Sequence, residues 1–96
     1  PEQPSVPPVM ILPAMIECSP PMVIMSMINK YKEIPFSVGT TMVKRPDGVQ
    51  MPAKMTMYVN MENRTYTLVA QMPGDVFWCV IQAGGNFAPA QNLNGT

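Results

Sequence analysis

The stretch CSPPMVIMSMINKYKEIP, residues 18–35, decides the fold of this chain. A serine followed by prolines is typical of a helix start, and the pattern predicts a helix over residues 20–33 with Ser19 as its N-cap. Pro35 is expected to end the helix, because the residue before a proline is disfavoured in the helical region. One apolar stripe recurs at helical spacing and predicts the buried side of this helix: Ile24, Ile28 and Tyr31.

After residue 35 the apolar pattern changes to a period of two, which is typical of strands. Turn residues separate the segments, as in RPDG at residues 45–48 and PGD at residues 73–75, where Pro and Gly take their favoured turn positions. Loops this short join antiparallel neighbours. The pattern predicts a four-stranded antiparallel meander over residues 36–44, 53–60, 65–71 and 77–83.

The last predicted strand also suggests which sheet face the helix covers. Phe77, Cys79 and Ile81 alternate onto one face. If Cys79 bonds to Cys18, just ahead of the helix, that face lies under the helix. Trp78 is then expected on the opposite, uncovered face, where a partner is able to contact it.

The sequence therefore predicts an α+β fold, in which one helix packs on the meander. Three segments are expected: a Pro-rich extended arm (1–17), the helix-plus-sheet domain (18–87) and a C-terminal tail (88–96). Five prolines precede Cys18, yet the second half of the arm is apolar and is expected to lie on another surface. The expected partner-binding residues of the arm are Val9, Met10, Ile11 and Leu12.

The two cysteines, Cys18 and Cys79, predict one structural disulfide, which persists in an oxidising compartment. The chain begins with Pro1 rather than a methionine, as expected where an export signal has been removed. A chain start chosen for expression would have the same appearance. We therefore expect an exported protein, periplasmic, extracellular or on a virion surface.

Charge and composition restrict the classes of function. Six basic and six acidic residues cancel and are scattered, so nucleic acid is not an expected partner. A weakly charged, neutral surface favours association with other proteins, copies of the same chain included. The chain has no histidine, the usual general base, and its carboxylates are dispersed, so we expect no enzyme activity and no cofactor. A transmembrane segment is not expected, because no apolar run approaches the roughly 20 residues that span a bilayer.

Eleven methionines are unusual in so short a chain. Met55, Met57 and Met61 are candidates for a thioether site that binds Cu(I), a soft ion. The stronger interpretation is that methionine fills the core positions that Leu, Ile or Val usually take. Metal binding therefore remains the alternative.

A set of motifs in fixed order resembles a group of small two-cysteine exported proteins of marine and other proteobacteria and their phages. The motifs are Cys18, NKYKEIP at residues 29–35, MYVN at 57–60, TYT at 65–67, WC at 78–79 and GGNF at 84–87. The resemblance covers about residues 18–87. It implies export, the disulfide and a helix-plus-sheet fold, and it implies no activity.

These observations favour a non-enzymatic structural or accessory subunit of a larger assembly, such as a phage virion surface or a cell-envelope complex. Its arm is expected to dock on neighbouring subunits. The alternative is a monomeric periplasmic binding module, with Cu(I) bound through Met residues as one form of it.

Overall fold

The computed structural model describes residues 9–10 and 14–90. The helix and strands in these residues are β1 (Glu17–Ser19), α1 (Pro21–Lys30), β2 (Ile34–Lys44), β3 (Gln50–Asn60), β4 (Thr65–Gln71) and β5 (Trp78–Gly84). The strands form one antiparallel sheet in the order β1-β5-β4-β3-β2. The predicted α+β class, the antiparallel meander from β2 to β5 and the disulfide are confirmed, but the sheet has five strands, not four.

The additional strand, β1, is held at the sheet edge by the disulfide between Cys18 and Cys79. These two residues lie directly opposite each other on β1 and β5, with their Cα atoms 4.0 Å apart. With three residues, β1 is too short for a period-two pattern to reveal it. The bridge thus makes a strand of the boundary between the predicted arm, which ends at Glu17, and the predicted domain, which begins at Cys18.

The start of α1 differs from the prediction. Ser19 belongs to β1, the N-cap is Pro20, and no side chain among the described residues caps this end. The Pro20 carbonyl accepts hydrogen bonds from the backbone N–H groups of Val23 (3.0 Å) and Ile24 (3.4 Å). Pairing of Ser19 with Trp78 across the β1–β5 ladder takes the serine out of the capping position.

The end of α1 is set by a Schellman motif, not by Pro35, which lies inside β2. The N–H of Lys32 donates to the Asn29 carbonyl (3.0 Å), and the N–H of Glu33 donates to the Ile28 carbonyl (3.2 Å). Lys32 adopts φ of +57°, a conformation that usually selects glycine. The motif turns the chain back, so that β2 begins close to the helix.

The core lies between α1 and one face of the sheet. Ile24 and Ile28, 3% and 1% exposed, pack with Tyr58 of β3 and Val69 of β4. The predicted helical stripe is thus confirmed for its two isoleucines, whereas Tyr31 is half-exposed at the helix end. Three partly buried side chains complete this cluster: Met25, Trp78 and Val80.

Placing Trp78 on the uncovered face was therefore wrong. The disulfide runs sideways within the sheet, from β5 to β1, and does not reach up to the helix. It consequently carries no information about which face the helix covers. Trp78 packs on the helix side, and its indole N–H donates to the Asp75 carboxylate at 3.4 Å.

The turns join their strands as the sequence predicts. In the β2–β3 hairpin, the N–H of Gly48 donates to the Arg45 carbonyl (2.9 Å), and Gly48 has φ of +91°. Between β4 and β5, Pro73 and Gly74 form a turn closed by a hydrogen bond from the Asp75 N–H to the Met72 carbonyl (3.2 Å). The positive φ of both glycines explains why glycine occupies these positions.

Asn60 connects the helix end to the β3–β4 turn. Its side-chain amide donates to the Tyr31 carbonyl (3.0 Å), and its Oδ1 accepts the backbone N–H groups of Glu62 and Asn63, both at 2.9 Å. Asn60 is 8% exposed, so these contacts are shielded from water. One buried side chain thus positions two loops on the same side of the sheet.

The C-terminal segment returns to the other face of the sheet. The Phe87 ring lies 5.4 Å from that of Phe36 and 6.4 Å from that of Tyr66. The Tyr66 ring covers Gly84, where an added Cβ would lie 3.1 Å from it. Phe87 is thus packed into the domain, while the predicted arm and tail lie partly outside the described residues.

We expect removal of the disulfide, in the double variant Cys18→Ser/Cys79→Ser, to lower the free energy of unfolding by roughly 2–5 kcal/mol. The bridge spans 61 residues, and closing a loop of that length contributes about 4 kcal/mol in the chain-entropy model. Urea denaturation followed by tryptophan fluorescence measures the loss. Reductant should destabilise the wild type by the same amount and leave the stability of the double variant unchanged. A double variant as stable as the oxidised wild type would contradict this role of the disulfide.

Lys32→Gly should raise the free energy of unfolding by about 0.5–1 kcal/mol. A residue with a Cβ is destabilised by roughly 1–2 kcal/mol in the left-handed conformation, and glycine removes this strain. Glycine also loses more backbone entropy on folding, which costs about 0.5–1 kcal/mol and leaves the smaller net gain. The matched control is Lys30→Gly inside α1, which should lower stability by about 0.5–1 kcal/mol. Thermal denaturation of both variants separates the two effects, and the prediction fails if both shift Tm downward.

Candidate functional site

In the described residues, the outer edge of β2 is a long strand edge without a partner. β2 has eleven residues, pairs with β3 on one side, and has no strand on its other side within residues 9–10 and 14–90. An edge strand presents a row of backbone N–H and C=O groups that are ready to pair with another strand. At the opposite edge of the sheet, β1 offers three residues and the uncovered part of β5, residues 81–84, offers four.

Four large apolar side chains of β2 are exposed. Their exposed fractions are 63% for Ile34, 56% for Phe36, 68% for Val38 and 54% for Met42. Burying a Val or Met side chain contributes about 1.5–3 kcal/mol, so this strand leaves considerable apolar surface in water. Such a concentration on one strand is typical of an interaction surface.

A bulge divides β2 into two parts. The register against β3 shifts between Pro35 and Ser37, and the Phe36 ring packs edge-on against Phe87. From Ser37 to Lys44 the pairing with β3 is continuous. The regular part is held by the RPDG turn, in which the N–H of Arg45 donates to the Val49 carbonyl at 2.8 Å. Residues 37–44 of β2 therefore form an edge in continuous register.

Charge does not protect this edge. Lys44, at the end of β2, is the one charged residue in the strand. Arg45, just beyond it, pairs with Asp47 in the turn at 2.7 Å. Natural edge strands commonly carry inward charges or prolines that block pairing. Here Pro35 lies before the bulge, so residues 37–43 contain neither device.

The sequence predicted a strand here but not its edge position. Pro35 was a usable signal, because proline within sheets is largely confined to edge strands and strand starts.

The predicted partner-binding residues are distributed over separate parts of the chain. Val9 and Met10 are 73% and 66% exposed, whereas Ile11 and Leu12 lie outside the described residues. Trp78 packs with the core beneath the helix. The structure does not bring the described members of this set together, and partner binding by the arm stays a prediction.

The candidate metal ligands are only partly brought together. Met55 and Met57 share a face of β3, opposite Ala70 and Leu68 of β4, whereas Met61 lies in the following turn and is 59% exposed. Both strand methionines are partly buried, as expected for side chains that fill an apolar surface. Among the described residues, no three His, Cys, Asp or Glu side chains cluster as metal ligands. Cu(I) binding stays a prediction.

The fold perturbs the titration of Tyr58. Burial in the core raises the pKa of Tyr58 above its usual value of 10.0, and a hydrogen bond with the Gln71 side chain lowers it in part. The hydroxyl also lies 4.0 Å from the Met25 sulfur, beneath the helix. This perturbation belongs to the packing of α1 on the sheet and not to a reactive group in a cleft.

No family model, no curated protein and no solved structure matches this chain. In the part of the chain that the structure describes, no helix combines the length and apolarity needed to cross a membrane.

The pKa shift of Tyr58 predicts how stability changes at alkaline pH. Because the folded-state pKa is raised, stability is fully present below about pH 10 and falls as the pH rises through the folded-state pKa. Tyr58→Phe should remove this part of the loss, whereas Tyr31→Phe, at an exposed ring, should keep it. Urea midpoints between pH 8 and pH 11 provide the measurement, and parallel profiles for the wild type and Tyr58→Phe would contradict it.

Proposed function

We propose that this protein is a non-enzymatic structural subunit that assembles through the outer edge of β2, by pairing with the same strand of a second copy. The observation that carries the proposal is the long, apolar, nearly uncharged edge described above. Main-chain hydrogen bonds across such an edge supply affinity, and the alternating side chains supply register.

An antiparallel pair of β2 strands has a favourable two-fold register centred on Thr40. It aligns the regular residues 37–43 of both copies and leaves the Phe36 bulge outside the new ladder. Val38 of one copy then lies opposite Met42 of the other, on the same sheet face, because both residues have the same parity. The two most exposed apolar side chains of the regular segment thereby cover each other.

The small residues of β2 also favour this register. Gly39 lies opposite Thr41 of the second copy, and a Cβ built at Gly39 would meet no heavy atom within 4 Å among the described residues. The Thr41 side chain of the second copy therefore finds open space on the sheet face at Gly39. Cross-strand pairs of this kind contribute about 0.2–1 kcal/mol each, in addition to the backbone hydrogen bonds.

Charge favours the antiparallel over the parallel arrangement. Parallel pairing places Lys44 of one copy beside Lys44 of the other, which is destabilising for like charges. In the antiparallel register the two ammonium groups are separated by eight residues of strand, roughly 25 Å. At that distance the repulsion is screened at physiological ionic strength.

The same geometry favours a closed dimer. A two-fold interface uses the same surface on both copies and closes on itself. The other edge of the sheet, β1, is too short to propagate a ladder. The product is thus one continuous ten-stranded sheet and not a fibre.

This proposal places the dimer within an exported assembly, such as a virion surface or a cell-envelope complex. The disulfide supports an oxidising compartment. The apolar arm, of which Val9 and Met10 are exposed, provides a second surface for neighbouring subunits.

The test is the solution mass of the oxidised protein by light scattering. Wild type should have about twice the 10.6 kDa of one chain, and Val38→Lys should be monomeric because it places a charge at the centre of the interface. The matched control is Val23→Lys, on the exposed side of α1, where valine is 54% exposed. Val23→Lys should remain dimeric; a monomeric wild type or a dimeric Val38→Lys would overturn the proposal.

The register has its own test. Thr40→Cys should form a disulfide between copies, because residue 40 lies opposite itself across the two-fold axis. Ser26→Cys, exposed on α1, should remain monomeric on a non-reducing gel. Equal crosslinking of the two variants would contradict pairing centred on Thr40.

A further inference from the structure

The segment GGNF at residues 84–87, at the end of β5, lies against the bulge in β2 and has no role in the strand pairing proposed above. Strands β4 and β3 separate β5 from β2, so the segment reaches across the end of the sheet. The Phe87 ring contacts the Phe36 ring edge-on, with the centroids 5.4 Å apart and the planes at 76°. The bulge in β2 thus has a partner that is distant in sequence.

The position of Phe87 is fixed without help from β2. Its backbone N–H donates to the Arg64 carbonyl at 3.0 Å, which ties it to the β3–β4 turn. Asn86 has φ of +60°, a left-handed conformation that asparagine tolerates better than most residues. The chain approaches closely at Gly84, where an added Cβ would lie 3.1 Å from the Tyr66 ring. Phe87 therefore presents a fixed aromatic surface to the start of β2.

Phe36 has two alternative places in β2. In the observed register Pro35 lies opposite Tyr58. Ser37 lies opposite Met57, so Phe36 is the extra residue of the bulge. If Pro35 were the extra residue, Phe36 would lie opposite Tyr58, and its ring would lie on the face that carries the helix. Proline is found at bulges, so the local sequence is compatible with both arrangements.

We propose that Phe87 is a positioning residue for the assembly edge: its contact holds Phe36 in the bulge and so ends the regular part of the edge at Ser37. The contact is lost if the Phe36 ring moves to the helix face, because Phe87 packs with Tyr66 on the opposite face. Edge-on aromatic pairs favour the arrangement that contains them by a factor of roughly two to twelve. The inference rests on the proposed pairing of β2 strands.

The bulge limits the number of residues that pair between copies. In the register centred on Thr40, residue 36 of one copy would lie opposite Lys44 of the other if it joined the ladder. The bulge removes this pair at both ends of the interface, together with the backbone hydrogen bonds that a longer ladder makes. Phe87 thus keeps the dimer weaker, and more readily reversed, than the eleven residues of β2 would otherwise make it.

The test is the variant Phe87→Ala in the oxidised full chain, compared with wild type by NMR and by sedimentation equilibrium. NOEs between the Phe36 and Tyr58 rings should appear in the variant and be absent from wild type, where the rings lie on opposite faces. The dissociation constant of the dimer should fall about threefold, because two cross-strand pairs are added. Loss of packing alone would produce neither change.

Two further variants make the test specific to the aromatic contact. Phe87→Tyr keeps the ring and should behave as wild type in both measurements. The matched control, Phe77→Ala, removes a ring that is 51% exposed ahead of β5 and should also leave both unchanged. If Phe87→Ala does not fold, Phe87→Leu, which retains most of the volume and lacks the aromatic edge, should show the same two changes.

The outcomes separate this inference from the proposed function. A monomeric wild type contradicts strand pairing through β2 and, with it, the assembly role of Phe87. If wild type is a dimer, wild-type NOEs in the folded Phe87 variant overturn the positioning role alone. A dimer of that variant that is no tighter than wild type overturns it too.

Discussion

The disulfide between Cys18 and Cys79 is the constraint on which the arrangement of this small domain depends. It ties the segment before the helix to β5, so that α1 begins at one edge of the sheet. The strand that follows the helix, β2, forms the opposite edge. The chain must therefore cross the face of the sheet between the two edges, and Ile24 and Ile28 become buried against Tyr58 and Val69. The core is a consequence of that crossing.

The same arrangement determines which part of the sheet remains available. β1 covers part of the outer side of β5, and β2 forms the opposite edge of the sheet. The outer side of β2 has no strand beside it in the part of the chain that is described. A domain of this size buries only about 60–68% of its unfolded surface, so apolar side chains remain outside. Here several of them lie on that edge, Val38 and Met42 among them, which is why we propose assembly through β2.

Buried polar groups are concentrated where the helix ends. Asn60 has three hydrogen bonds there, to the Tyr31 carbonyl and to two N–H groups of the β3–β4 turn, and its polar atoms are satisfied. Glu33, two residues beyond Tyr31, is as deeply buried, but its Oε1 has no partner in the described residues. The two buried side chains thus differ: Asn60 stabilises the turns, whereas the Glu33 oxygen adds no hydrogen bond to the fold among the described residues.

Local chemistry in the sequence determined the helix, the four longer strands, the RPDG and PGD turns and the pairing of two cysteines. These features depend on periodicity, on proline and glycine geometry and on cysteine count, all of which act over a few residues or by composition. Tertiary structure decided the rest: that β1 exists, that Trp78 packs beneath the helix, that β2 is the open edge and that Glu33 is buried. Each of these features depends on which distant segment of the chain lies beside the residue in question. Strand order and the orientation of each strand's faces are set by packing and by the sideways course of the disulfide, and a period-two pattern encodes neither.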